Sequence, residues 1–281
     1  MMIYMRNALT IDLEEFFQIQ VLSRVISDKD WDSFPSDVEK NTRIVMDLLQ
    51  EEDIKATFFC LGWVSMRHRE LIKEISSYGH EIACHGLMHK PITELSPKVF
   101  REYTYQAKDM LEDITGTKVS GYRAPTYSIT TKTLWALEVL EELGFDYDSS
   151  IFPIYHDNYG IPSAPRFPYR IESMKLVEFP ISTVRVFGYN LPVSGGGYFR
   201  ILPYFITNLG LGSINREGKP FIFYIHPWEF MPDIPRIPGL STLSRFRTYT
   251  GLSRTLFKFR RLLKEFRFTT ARDVLSDEGL I

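Results

Sequence analysis

Three carboxylates close the run "ALTIDLEEFFQ", where Asp12, Glu14 and Glu15 follow Ala8, Leu9 and Ile11 almost at once. Two histidines, His85 and His89 in "CHGLMH", stand four residues apart just after a second apolar run, "HEIAC". On one turn of helix that spacing sets both imidazoles on one face, which suits two ligands of a tetrahedral metal. Two neutral imidazoles plus one carboxylate, with open positions for water, form the donor set of a catalytic zinc. Arg123 ends "GYRAP", where its guanidinium can brace a carboxylate through paired hydrogen bonds. His226, in "YIHPWEF", is a third histidine at the end of an apolar run. Its neighbour Glu229 reads as structural, as do His68 and His80.

These groups share one feature: each follows a segment with the pattern of a buried strand. "NALTID", "KATFFCLGW", "HEIACHG", "VSGYRAP", "FDYDSS" and "PFIFYIHPWEF" read as strands. "PSDVEKNTRIVMDLLQEED", "MRHRELIKEISSYG", "SPKVFREYTYQAKDMLEDITG" and "TTKTLWALEVLEELG" carry helical periodicity between them, two of them stopping at Gly79 and Gly116. Alternating strands and helices predict parallel strands with helical crossovers, either doubly wound or barrel-like. In such folds the site lies at the carboxyl ends of the strands, where all the groups above fall. Beyond residue 150 the rhythm weakens. "YGIPSAPRFPYR" and "LPVSGGGYFRILP" read as long ordered loops, and "LSRTLFKFRRLLKEF" as a closing amphipathic helix. No linker divides the 281 residues, so a single domain is expected, with residues 1–150 as its core half and 151–281 as the remainder plus an extension.

The 44% hydrophobic and 24% charged fractions are those of an ordinary globular chain. A net charge of -2 leaves no basic excess for counterion release, which excludes nucleic acid as the general partner. The two cysteines, Cys60 and Cys84, read as reduced core thiols. The first residues show no signal-peptide pattern and no run reaches the ~20 apolar residues of a membrane span, so a soluble cytoplasmic protein is expected.

Together, "TIDLEEFF", "KATFFCLGW", "GHEIACHGLMH", "LEDITGTKVSGYRAPTYSIT", "GFDYDSSIFP", "EFPIS", "LPVSGGGYFRILP", "FYIHPWEF" and "SRFRTYTGL" resemble the polysaccharide deacetylase family. This is the NodB-homology or carbohydrate esterase family 4 group, and the likeness is greatest to its branch with a DUF3473-type carboxyl-terminal extension, found with exopolysaccharide and exosortase gene clusters. The resemblance implies an α/β fold: a distorted (β/α) barrel of about seven parallel strands, fewer than the eight of the regular barrel. It also implies a divalent metal, usually zinc, and hydrolysis of N-acetyl groups on sugars. Carried over by position, His85 and His89 match the metal ligands, Arg123 the arginine bracing the catalytic aspartate, and His226 the general acid. Asp148 in "DYDSS" matches the segment that braces this histidine, with Asp146 close enough to compete.

The first motif departs from the family's T-F-D-D, in which the first aspartate is the base and the second a ligand. Leu13 follows Asp12 here. Along a strand, residues 12 and 14 share one side while 13 points away, so Asp12 keeps the base role and Glu14 becomes the ligand. Should the strand have ended by residue 14, Glu15 becomes a possible ligand as well. The implied reaction has a metal-activated water attacking the acetyl carbonyl, with Asp12 as base, His226 as acid and a backbone N–H near Thr126 at the oxyanion. Thr126, Tyr127, Tyr198, Arg200 and Trp228 are the expected sugar contacts, with the glycines of "VSGGGYF" allowing close approach.

From Arg245 to Arg267 the sequence holds eight basic residues and one acid. A solvated helix face is one reading; the sharper one is peripheral contact with the inner face of an anionic membrane, or with a lipid-linked glycan precursor. The expected substrate is thus an N-acetylated oligo- or polysaccharide or such a precursor. Two other readings remain: hydrolysis of cyclic amides or imides, as in metal-independent allantoinase-like relatives, and a non-catalytic saccharide-binding protein.

Overall fold

The computed structural model of the protein describes residues 5–156 and 159–281. Part of the amino-terminal stretch examined for a signal pattern therefore lies outside the described residues. The strands are β1 (Arg6–Leu13), β2 (Thr57–Cys60), β3 (Glu81–Cys84), β4 (Gly121–Tyr122), β5 (Tyr147–Asp148), β6 (Tyr169–Arg170), β7 (Val177–Glu178), β8 (Thr183–Val186), β9 (Tyr189–Pro192), β10 (Ile222–Ile225) and β11 (Arg267–Thr269). Among the described residues, β10-β1-β2-β3-β4-β5-β7 form one path of seven parallel strands, with β6 antiparallel at its end and β11 beside β1. β8 and β9 make a separate hairpin.

Parallel strands need crossovers, and the helical patterns supply them. α1 (Val38–Glu51) joins β1 to β2; α2 (Gly62–Arg67) and α3 (Arg69–Ser77) join β2 to β3; α4 (Pro97–Thr115) joins β3 to β4; α5 (Trp135–Glu142) joins β4 to β5. α4 shows why its ends fall where they do: Ser96 Oγ accepts from Val99 N–H, Pro97 takes the first helical position, and Gly116 closes it in the left-handed conformation. The stretch read as one helix from Met66 to Gly79 is broken at His68, whose ψ of 48° lies outside helical values. β1 is buried along nearly its whole length, with the polar Asn7, Thr10 and Asp12 among its buried residues.

Past residue 150 more regular structure forms than the sequence suggested. The "LPVSGGGYFRILP" segment is no loop: it ends β9, then folds into α6 (Gly196–Ile201), followed by α7 (Tyr204–Arg216). α8 (Thr242–Tyr249), α9 (Leu252–Glu265) and α10 (Ala271–Asp277) complete the chain. The free edge of β10 meets the segments after β7, through Tyr224 N–H to Ser194 O and Ile222 N–H to Ser182 Oγ, both at 2.9 Å. The sheet thus curls back on itself as a half-barrel without closing a regular ladder.

Of the glycines expected to approach a sugar, Gly195 and Gly196 instead approach Tyr224 on β10. Gly195 has φ 140°, and a Cβ there would lie 1.9 Å from Tyr224 O. Gly195→Ala should therefore cost about 1–3 kcal/mol through overpacking and backbone strain. A fall of several degrees in Tm checks this, and an unchanged Tm would refute the contact.

Cys60 and Cys84 are register partners on β2 and β3, and both are free and buried. Burial pushes the Cys84 thiol up to about 12, which keeps it an inert thiol. No helix among the described residues is long and apolar enough to cross a membrane.

Candidate metal centre and acid–base site

The carboxyl ends of adjacent strands bring the singled-out residues together. Asp12 is the penultimate residue of β1, and Glu14 the first after it; His85 follows β3, Arg123 follows β4 and His226 follows β10. Glu14 Oε2 lies 2.6 Å from His89 Nε2 and 3.9 Å from His85 Nε2. Among the described residues, Glu14, His85 and His89 are the group whose donor atoms converge closely enough to hold a metal ion.

The two histidines do not converge through a turn of helix, as their spacing suggested. Residues 85–91 are irregular, and His89 sits at φ 47°, a left-handed conformation that turns the chain back toward Glu14. Such strain in a non-glycine residue is characteristic of functional sites. The donors fit a cation. His85 Nδ1–H donates to Arg123 O at 2.9 Å, which leaves Nε2 as a lone pair facing Glu14. Burial, and then His89, push the His85 imidazole down to about 3, so it is neutral, as a ligand must be. Glu14 Oε2 is buried with no hydrogen-bond donor aligned on it. Burial opposes charge on Glu14, but His89, His226 and His85 together hold its carboxyl below the usual range.

Glu15 is not part of this group. Its Oε1 accepts from Ser36 Oγ at 2.5 Å and from Val38 N–H at 3.2 Å, placing the carboxylate at the amino end of α1. Leu13 points into the apolar core. Asp12 and Glu14 thus face the same side although β1 ends at Leu13, where the chain turns with Glu14 N–H donating to Asp12 O at 3.1 Å.

Asp12 meets Arg123, which is fully buried. NH1 of the guanidinium lies 2.6 Å from Asp12 Oδ1 and 2.8 Å from Thr10 Oγ1, while Nε and NH2 donate to Ser149 O and Oγ. Phe59 packs its ring 4.0 Å beneath the guanidinium carbon. The other Asp12 oxygen, Oδ2, faces His226 Nε2 at 3.8 Å, and Glu14 Oε1 lies 3.6 Å from the same nitrogen. His226 is the most open of these groups, with its side chain 17% exposed against 5% or less for Asp12, Glu14, His85, His89 and Arg123.

Asp148 does not brace His226. It lies on β5, where Oδ1 accepts from Ser150 Oγ at 2.5 Å and its carboxyl shares a hydrogen bond with Glu178 on β7. The competing Asp146 pairs with Lys118 at the surface. The carboxylate on His226 Nδ1 is Glu229, at 3.1 Å, a residue the sequence reading set aside as structural. Its only signal was the spacing: three residues after His226, on the short 3-10 turn Pro227–Phe230, its carboxylate also accepts the His226 backbone N–H. Burial disfavours the His226 cation, but Glu229, Glu14 and Asp12 outweigh it and raise the imidazole to about 9.

The proposed sugar contacts divide. Thr126 and Tyr127 stand together at φ 59° and 52°, and Thr126 Oγ1 and Tyr127 OH are buried without a partner among the described residues. Tyr198 is half-buried and hydrogen-bonded to Tyr159. Arg200 is no sugar contact: it is buried and ion-paired to Glu229 at 2.6 Å. Trp228 is buried too, its ring lying along His226 at 5.6 Å and its Nε1–H aimed at Glu14 Oε1, so it walls the site. His80 accepts Ala56 N–H and His68 pairs with Glu39, both away from the site.

The Asp148–Glu178 pair yields a separate expectation. Burial, and for Glu178 the neighbouring Asp148, raise both carboxyls above their ordinary values. The folded state then binds more protons than the unfolded chain, so this pair's contribution is fully present below the ordinary carboxyl range and lost as pH rises through the raised values. Glu178→Gln keeps an acceptor for Ile151 N–H and gains a donor for Asp148. Its Tm should fall less than wild type between pH 4 and pH 8, on the scale of ~1 kcal/mol or more; parallel curves would refute the shared proton.

A curled parallel sheet with two histidines and a carboxylate meeting at its carboxyl edge defines a (β/α)-barrel protein with a candidate metal centre. Residues 30–147 match the polysaccharide deacetylase family model, and residues 149–276 match DUF3473, a domain of unknown function. YheN of Bacillus subtilis (strain 168), a polysaccharide deacetylase by name, is 32% identical over 118 residues, 42% of this chain and 41% of YheN. This match thus spans about two fifths of either protein. A Mycobacterium smegmatis structure titled as a polysaccharide deacetylase superposes with TM-score 0.65 at 20% identity, covering 98% of this chain and 90% of that one. Puue allantoinase superposes with TM-score 0.63 at 18% identity, covering 96% and 88%. Residues 30–147 of the chain are thus similar to the polysaccharide deacetylase family, and the fold is the NodB-type barrel.

Proposed function

We propose that the protein is a metal-dependent hydrolase that removes N-acetyl groups from sugars of a polysaccharide or its precursor, with zinc as the metal. The observation that carries this reading is the convergence of Glu14, His85 and His89 on one point beside the Asp12–Arg123 pair and His226. The match of residues 30–147 to the polysaccharide deacetylase family and the deacetylase names of similar proteins support the substrate class.

A divalent ion held by Glu14, His85 and His89 supplies Lewis-acid polarisation of a carbonyl and activation of water. The chain's own groups do the rest. Asp12 takes a proton from the attacking water through Oδ2, while Arg123 binds Oδ1 and fixes the carboxylate's orientation. His226, placed at the open side and able to hold a proton at Nε2, gives it to the departing amine. The burial of Asp12, Glu14, His85 and His89 excludes bulk water from the acetyl side, while the sugar remains outside at His226. A backbone N–H near Thr126 is the proposed oxyanion donor, in a segment held at strained φ.

The convergence of Glu14, His85 and His89 is the observation against the metal-independent cyclic-amide reading, although allantoinase shares the fold. Acetate release from chito-oligosaccharides, measured with zinc content and with allantoin as control substrate, tests the proposal. Zinc at about one per chain with acetate release supports it. Allantoin turnover, or neither activity, overturns it. The natural acceptor is proposed to be an oligo- or polysaccharide or a lipid-linked precursor, handled in the cytoplasm.

The basic carboxyl-terminal helix is less free than its sequence suggested. Lys258 is buried and donates to Phe199 O, Arg200 O and Leu202 O; Arg260, Arg261 and Lys264 pair with Glu51, Glu265 and Glu52. Membrane contact stays a proposal that rests on Arg245, Arg254 and the exposed Phe246 and Phe257.

A further inference from the structure

Glu229 is itself held, and its holder reaches far from the site. Arg200 Nε lies 2.6 Å from Glu229 Oε1, while NH1 donates to Thr248 O and Thr250 O at 3.0 and 2.8 Å and NH2 to Arg247 O at 2.8 Å. One buried guanidinium thus spans the carboxylate behind His226 and three carbonyls at the end of α8. Both ends of this bridge are anchored. Lys258 Nζ on α9 caps the last carbonyls of α6, from which Arg200 projects, and Gly251 at φ 82° lets the α8–α9 turn approach Arg200 O, where a Cβ would lie at 2.3 Å. Trp228 packs between, with the Arg200 guanidinium 5.3 Å from its ring and the His226 imidazole stacked beside it.

We infer that Arg200 and Glu229 form a positioning relay that fixes the His226 ring with Nδ1–H toward Glu229 and Nε2 toward Asp12 and Glu14. It makes the α8–α9 turn part of the machinery. The physical argument is geometric. A lone carboxylate on the 3-10 turn could swing away from Nδ1, or let the ring flip about χ2 and present the other nitrogen. Glu229 cannot swing, because Oε2 accepts from both the His226 ring and its backbone N–H while Oε1 is tied to Arg200. Arg200 cannot follow it, because its remaining donors are committed to 247–250. A planar fork is the group suited to such a span; an ammonium reaches only one partner set. The relay explains why a segment with no residue at the reaction centre has three of its backbone carbonyls tied to a buried guanidinium.

The relay's part in turnover rests on the deacetylase reading above, so its test includes a signal independent of activity. In the whole protein, a buried Nδ1–H bonded to a carboxylate should appear as a low-field, slowly exchanging imidazole proton in proton NMR at one fixed pH, assigned by its loss in His226→Gln. Arg200→Met should broaden or abolish that signal and lower kcat by about 10–100-fold, the usual effect of losing a supporting partner, with KM and zinc content within twofold. Arg200→Lys keeps a cation beside Glu229 but cannot also reach the three carbonyls, so it should fall between wild type and Arg200→Met; it serves as the test should Arg200→Met not fold. Gly251→Ala, remote from His226, should shift the same proton. A protected signal unchanged in Arg200→Met or Arg200→Lys overturns the relay, as does its absence in wild type. Loss of the signal in a protein that releases no acetate upholds the relay and refutes the activity.

Discussion

Asp12→Asn should lower kcat by about 10²–10⁴-fold, the contribution of a positioned general base, while zinc content stays near wild type. The reasoning follows from the two ends of the side chain. Oδ2 faces the His226 side of the site and is the oxygen that would take the proton; an amide cannot do so. Oδ1 faces Arg123, which is wholly buried and has no other acidic partner in its hydrogen bonds. The substitution therefore also leaves a buried cation uncompensated, a loss of about 3–5 kcal/mol if nothing relaxes. Activity and Tm should fall together, but on different scales. The decisive measurement is kcat at a temperature well below the variant's Tm, with metal content determined on the same sample. Turnover within tenfold of wild type would remove Asp12 from the base role.

The second large effect separates Glu14 from Glu15. Glu14→Gln should weaken zinc binding more than the ~10–100-fold typical of supporting partners, because it removes a donor atom rather than a group behind one. It leaves two imidazoles, of which His85 is already fixed by Arg123 O and cannot move to compensate. Glu15→Gln should keep its zinc and lose only about 1 kcal/mol of stability, the value of a carboxylate at the start of a helix. Zinc per chain after dialysis against a weak chelator, read for both variants beside wild type, checks the pair. Equal retention by the two would overturn Glu14 as the ligand. Loss from Glu15→Gln alone would exchange the assignments.

Much of the site was legible because its residues follow recognisable strands. Period and punctuation placed β1 to β5 and β10, and residues at the ends of neighbouring parallel strands must lie together. That logic carried Asp12, His85, Arg123 and His226 to one place without any side-chain detail. It failed where the connecting chain is irregular. His89 was assigned to a helical turn, whereas a left-handed residue in a loop brings it to Glu14. Asp148 was matched by motif, yet its strand faces it toward Glu178. Arg200 looked like a sugar contact because it stands near glycines, and Trp228 because it stands beside His226; burial made them internal supports instead.

The sequence by itself determined the strand–helix rhythm, the strand-end chemistry and the resemblance to polysaccharide deacetylases, because alternation and motif spacing are local properties of the chain. Only the tertiary structure decided which way residues 14 and 15 point, which carboxylate braces His226, and that Arg200 faces inward. Each of these depends on where one strand stops and on what a distant segment places against it. The ladder of β1 ends at Leu13, and the turn there, with Glu14 N–H on Asp12 O, carries Glu14 to the candidate metal centre and leaves Glu15 to α1.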